Sequence, residues 1–300
     1  MRKIIVFLLI VSSALSCSKD ETTNSATDSD SMVQQIGDTM ASVDGSGGGD
    51  GGYALFAREA KTYARLQKQL PFAAKAYRSL SNTFMPKADA TACRLVNTFG
   101  SCTNNQIVRD FQSCTIGQAT FEGTVTIDFN DTAVDNTCAI ASDGHTITRS
   151  PDFTITGPLG GEYAVSKTGS VGQRLTRTSA GVFDFTNDGI RRTLTFRSAT
   201  RADFTTVTTS AIGVTGNNRS GRVMDGGTLR VTNNLNSATC DYSPSSVTWD
   251  TTCNCAISGS WALSCSDSTT GTYAITGCGT GTLTIGSDSE SVTLDQCTTL

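Results

Sequence analysis

Residues 121–129, FEGTVTIDF, decide the fold class. Phe121, Val125, Ile127 and Phe129 fall on alternate positions, Gly123 alone breaks the row, and the residues between are mostly polar or small. A period of two puts one set of side chains on one face of an extended chain, as in a half-buried strand. The theme continues outward in HTITRSPDFTITG, RRTLTFRS, DFTTVTTSAIGV, GTLRVTNNL, SVTWD, GTYAITG, GTLTIG and ESVTLDQC. These runs are rich in Thr and Val, residues that suit a pleated surface, and Gly, Asn, Asp and Ser bound them. The Asp-Gly pairs in SDGHT, TNDGI and MDGGT predict tight hairpins. With no helical pattern between the runs, residues 90–300 are expected to form a mainly β region. The expected architecture is a large antiparallel sheet, a sandwich or a partly closed barrel.

Upstream, the pattern changes. Tyr63, Leu66, Leu70, Ala73, Tyr77 and Leu80 recur at spacings of three and four, which draws one apolar stripe along a helix. Pro71 interrupts it, so residues 53–84 are expected to form a kinked amphipathic helical segment. Its other face is basic, with Arg58, Lys61, Arg65, Lys68, Lys75 and Arg78 against Glu59. Packing on the sheet is the plain reading; an anionic membrane surface and a coiled-coil stalk are the alternatives. Residues 17–52 are rich in Ser, Thr, Asp and Gly and end in GSGGGDGG, and are expected to be a disordered acidic tether.

The first residues carry an address. Arg2 and Lys3 precede an apolar run of eight, IIVFLLIV, too short to span a bilayer and suited to a secretion signal over residues 1–16. Ala14-Leu15-Ser16-Cys17 resembles the lipobox of bacterial lipoproteins, with Ala14 where that family usually has Leu. The resemblance implies cleavage before Cys17 and acylation of it, hence membrane attachment through at least two lipid chains. Ser18-Lys19-Asp20-Glu21 resembles the export tags of Bacteroidetes-type surface lipoproteins, which implies an outer-membrane location, periplasmic or surface-exposed. The 121–129 strand and the closing GTGTLTIGSDSESVTLDQC are similar to β-rich lipoproteins of unknown function from the same group. That similarity implies no catalytic residues.

Eleven cysteines minus Cys17 leave ten: Cys93, Cys102, Cys114, Cys138, Cys240, Cys253, Cys255, Cys265, Cys278 and Cys297. An even number in an exported chain reads as a disulfide framework. Zinc is the rival reading, but one residue between Cys253 and Cys255 is short for a zinc pair and His145 is the chain's one histidine. On a strand, Cys253 and Cys255 would share a face and reach neighbouring elements, Cys240, Cys265 and Cys278 among the candidates.

For chemistry the sequence offers little. His145 lies beside a turn signal, and no Gly-x-Ser-x-Gly elbow is present. Glu122, Asp128 and Glu162 are carboxylates that a glycosidase could pair across a cleft. Asp128, Asn130, Asp131, Asp135 and Asn136 cluster oxygens suited to calcium, although turns also favour such residues. Trp249 and Trp261 read as core residues before they read as a sugar platform. From residue 93 on, 13 basic side chains face 18 acidic ones, which excludes an electrostatic nucleic-acid footprint. The expectation is a non-enzymatic envelope lipoprotein without a cofactor, its β region serving binding, adhesion or structure through an unidentified envelope or extracellular partner. A periplasmic carrier of an apolar ligand, of half-barrel type, is the alternative, and a polysaccharide hydrolase a lesser one.

Overall fold

The computed structural model describes residues 102–294 and 297, except 117–118, 132, 134–136, 158–159, 197 and 254, together with Met32, Val33, Gln35, Ile36, Thr39 and Met40. The expected signal segment at 1–16, Cys17, the expected helix at 53–84 and Cys93 lie outside the described residues.

Among the described residues the chain is mainly β, and seventeen strands join one antiparallel sheet. In order they are β1 (Gln106–Asp110), β2 (Cys114–Ile116), β3 (Ala119–Asn130), β4 (Thr146–Thr156), β5 (Glu162–Lys167) and β6 (Gln173–Ser179). Then follow β7 (Val182–Asn187), β8 (Ile190–Phe196), β9 (Ala199–Ser210), β10 (Ile212–Thr215), β11 (Val223–Asp225) and β12 (Thr228–Asn233). The last are β13 (Ala238–Thr248), β14 (Ser258–Cys265), β15 (Thr270–Gly277), β16 (Thr280–Ile285) and β17 (Asp288–Thr293). The 121–129 pattern falls within β3, and Phe121, Val125, Ile127 and Phe129 are buried.

Ten strands close a ring that is not a regular barrel. Two long strands, β4 and β13, each pair with two partners on one edge. β4 pairs with β6 over residues 146–149 and with β5 over 152–156. β13 pairs with β12 over 238–242 and with β11 at 247–248. Between them run two arcs, β5-β8-β9-β12 and β6-β7-β10-β11. Both changes of partner fall at a Ser-Pro pair, Ser150-Pro151 in β4 and Ser243-Pro244 in β13. Proline has no N–H, so a strand interior holds it only where no ladder bond is required of it. A strand changing partners provides that position. Outside the ring, β3 pairs along the whole of β4 and carries β1 and β2, while β14 to β17 extend β13 as successive hairpins.

The Asp-Gly expectation is corrected. Asp188-Gly189 and Gly226-Gly227 connect β7 to β8 and β11 to β12, pairs of strands that belong to opposite arcs. The chain crosses between arcs there instead of turning back on itself. Gly189 has φ 126°, and a Cβ on it would lie 2.1 Å from Thr168 Oγ1, so the crossing is passable to glycine alone. The third pair, Asp143-Gly144, sits inside the long connection from β3 to β4.

The tether expectation is corrected too. Met32, Val33, Gln35, Ile36, Thr39 and Met40, inside the stretch read as disordered, have helical backbone and are buried. Met32, Ile36 and Met40 are four residues apart, a helix face that the surrounding Asp and Ser residues obscure in sequence.

Candidate functional site

Along the ring strands the inward positions are mostly apolar; Asn233 at the end of β12 is one polar exception, and several others gather elsewhere. In β4, Arg149 stands in phase with Ile147 and Phe153; in β8, Arg192 stands between Ile190 and Leu194. Both arginines are buried, at 4% and 2% exposure, as are Gln173, Asn187 and Thr206. Register joins three of them, since Arg149 is opposite Gln173 and Gln173 opposite Asn187, while Arg192 is opposite Val165 and Phe204. Arg149 Nη1 donates to Gln173 Oε1 at 3.0 Å. Asn187 Nδ2 donates across to Thr206 Oγ1 on the other arc at 2.9 Å, while its Oδ1 accepts from Gly189 N. One amide side chain thus holds the crossing and ties β7 to β9.

The ring's apolar residues fall into two clusters, with Arg149 between them on β4 and Arg192 within the second on β8. One includes Ile147, Phe185, Phe204, Ile212 and Leu229; the other includes Phe153, Ile155, Tyr163, Ile190 and Leu194. The first also contains Met32, Val33, Ile36 and Met40. Gln35, from the same helical stretch, accepts a hydrogen bond from Arg192 Nη1 at 3.4 Å. Thr39 Oγ1 donates to the Gln35 carbonyl at 3.0 Å. A guanidinium stays charged at any ordinary pH, and burying one is costly unless it is hydrogen-bonded. Arg149 and Arg192 each have an interaction beyond these amide oxygens, and together they place two positive charges inside one ring.

The residues singled out from sequence are distributed differently. Disulfides link Cys102–Cys138, Cys240–Cys265, Cys253–Cys278 and Cys255–Cys297, and Cys114 is disulfide-bonded as well. Cys253 and Cys255 lie in the connection from β13 to β14, not on a strand, and tie that connection to the β15–β16 turn and to the chain after β17. Cys240 and Cys265 are directly opposite in register.

Glu122 and Glu162 flank β4 on its outward face, opposite Thr154 and Thr156. Strand spacing puts their Cα atoms about 12 Å apart on an open sheet. Asp128 lies six residues along β3 and accepts from Gln106 Nε2. These three do not converge.

Asp131 is buried and accepts from the backbone N–H groups of Ala133, Ala141 and Ser142. Burial pushes its carboxyl up, but those donors outweigh it and hold the group at about 2. His145 Nδ1 lies 2.6 Å from the Asn130 carbonyl and 3.5 Å from Asp131 Oδ1. Both Asp131 oxygens are thus occupied by N–H donors that organise the β3–β4 connection, an arrangement unlike a calcium site. Asp135 and Asn136 lie outside the described residues. Trp249 and Trp261 are buried, which removes the sugar-platform reading.

The arginine band was missed, yet it had a signal: an Arg in phase with Ile and Phe on a strand points inward. No family model matches the chain, and no curated protein or solved structure matches it either.

Proposed function

We propose that the protein is an extracytoplasmic lipoprotein, anchored in the outer membrane through Cys17, whose β region is a binding module. The observation that carries the binding part is the buried band of Arg149, Gln173, Asn187 and Arg192 inside the ring. The address rests on the Ala14-Leu15-Ser16-Cys17 resemblance and on the cysteines, since all nine described ones are disulfide-bonded.

A second reading, adhesion, is favoured by the outward face of β14 to β16. Register sets Ser260, Ala262, Thr272, Ala274, Thr282 and Thr284 in adjoining rows without a charged side chain.

Intact mass of protein from its own host tests the proposal. A mature chain beginning at an acylated Cys17 is expected, with two protons missing per disulfide, and Cys17→Ala is expected to release the protein from membranes. An unacylated, soluble wild-type chain would overturn the anchor. Native mass spectrometry on the same material tests the binding part, and a small molecule retained by the β region is expected.

A further inference from the structure

Cys114 is disulfide-bonded, and the bridges Cys102–Cys138, Cys240–Cys265, Cys253–Cys278 and Cys255–Cys297 do not include it. Of the chain's 11 cysteines, Cys17 and Cys93 are left to be its partner. We propose that the partner is Cys93. Five bridges then take up ten cysteines, and Cys17 stays outside the framework as the one sulfur left for acylation. The pairing rests in part on the reading of Cys17 as the anchor, and peptide mapping tells the two apart.

Chain direction and reach favour Cys93. Thr103 and Gln106 exchange both backbone hydrogen bonds, Thr103 N to Gln106 O at 3.0 Å and Gln106 N to Thr103 O at 2.9 Å. The chain reverses between them, so at Thr103 it runs antiparallel to β1. What precedes Cys102 is thereby started back along β1, toward β2. Gln106 is opposite Asp128 and Cys114 opposite Phe121, seven residues apart along β3, or about 23 Å. The nine residues from Cys102 back to Cys93 can span about 30 Å. Cys93 therefore reaches Cys114 with little chain to spare, whereas Cys17 lies far upstream.

Burial points the same way. Cys114 is 1% exposed and belongs to the cluster of Phe111, Phe121 and Val125. A cysteine that carries acyl chains into a bilayer cannot also be bonded within that cluster. Formation of the bridge is balanced by exchange: the Cys93 and Cys114 thiols give up two protons and two electrons as their S–S bond forms, and an external protein disulfide is reduced to two thiols. β2 pairs with β3 over three residues only, and β1 and β2 lie on the same side of β3. The bridge strengthens this short ladder, and it is the first covalent link that the chain meets between its proposed anchor and the β region.

Peptide mapping without reduction tests the pairing on wild-type protein from its own host, with free thiols first blocked by N-ethylmaleimide in denaturant. Trypsin is expected to leave residues 88–94, 95–109 and 110–149 as one linked unit, because the last holds both Cys114 and Cys138. Further cleavage after Glu122 should resolve it into 88–94 bonded to 110–122 and 95–109 bonded to 123–149. Cys93→Ala should show one new blocked thiol, at Cys114, with the protein still in the membrane fraction. Cys93 found blocked in the wild-type chain would overturn the pairing, and so would residues 110–122 bonded to a peptide containing Cys17. Cys17 found blocked and unacylated, while 88–94 stays bonded to 110–122, would remove the anchor and leave the pairing standing. Should Cys93→Ala fail to accumulate, the wild-type map decides alone.

Discussion

The ring and the C-terminal sheet are built from similar Thr-rich strands but are held together differently. From Cys138 to Cys240 the chain has no cysteine, and that stretch contains nearly the whole ring. Each ring strand finds a partner on both sides, so no ladder is left open, and side chains from both arcs share a cluster with Met32, Val33, Ile36 and Met40. β14 to β17, by contrast, end at β17, which among the described strands has a ladder to β16 alone. Small residues lie under their large ones: a Cβ on Gly281 would lie 2.5 Å from the Tyr273 ring. Three disulfides serve this part: Cys240–Cys265, Cys253–Cys278 and Cys255–Cys297. β4 to β12 carry no cysteine, whereas β13, which the ring shares with the C-terminal sheet, and the connections beyond it are stapled.

The largest break in this comparison is loss of Cys253–Cys278 and Cys255–Cys297 together by Cys→Ala substitution. The bridged separations are 25 and 42 residues. By the chain-entropy relation each contributes about 3.5–4 kcal/mol, so a strong fall in thermal midpoint is expected. Next is Phe185→Ala in the ring, where truncating a buried aromatic costs about 3–5 kcal/mol; chemical denaturation would measure it. Asn187→Ala leaves Thr206 and the Gly189 N–H without their partner and should cost about 1–3 kcal/mol, with faster amide exchange at the β7–β8 crossing.

Asp131 sharpens the comparison through pH. Its carboxyl titrates at about 2 in the fold, below the ordinary carboxylate value near 4, so its contribution is present above about pH 4 and is lost as pH falls toward 2. Asp131→Asn should make that acid limb shallower in a pH series of thermal melts. The smallest effect is expected of Pro244→Ala, about 0.4–1 kcal/mol and destabilising, because it acts through the unfolded chain with no ladder bond at stake.

Much of the strand content was legible because alternation is local: the 121–129 pattern needs only its own neighbours. Closure of the ring was not, because it depends on which distant strands β4 and β13 accept on either side of a proline. The Asp-Gly pairs misled for a related reason. Such a pair permits a sharp change of direction, but whether the next strand returns to the same arc or crosses to the other is a long-range outcome. Met32, Val33, Ile36 and Met40 were hidden by composition, four apolar residues among Gln, Gly, Asp and Thr. The interior arginines were within reach, since strand phase places Arg149 with Ile147 and Phe153. The carboxylates pointed nowhere, because a side chain's outward position says nothing of what faces it.

Hydrogen exchange read by mass spectrometry, on oxidised protein and on protein held under reductant, tests the contrast most directly. Reduction is expected to strip protection from the amides of β14 to β17 while β5 to β12 keep theirs. Equal loss across both regions, or an unchanged C-terminal sheet, would contradict the division between a ring that closes itself and a sheet that its disulfides hold.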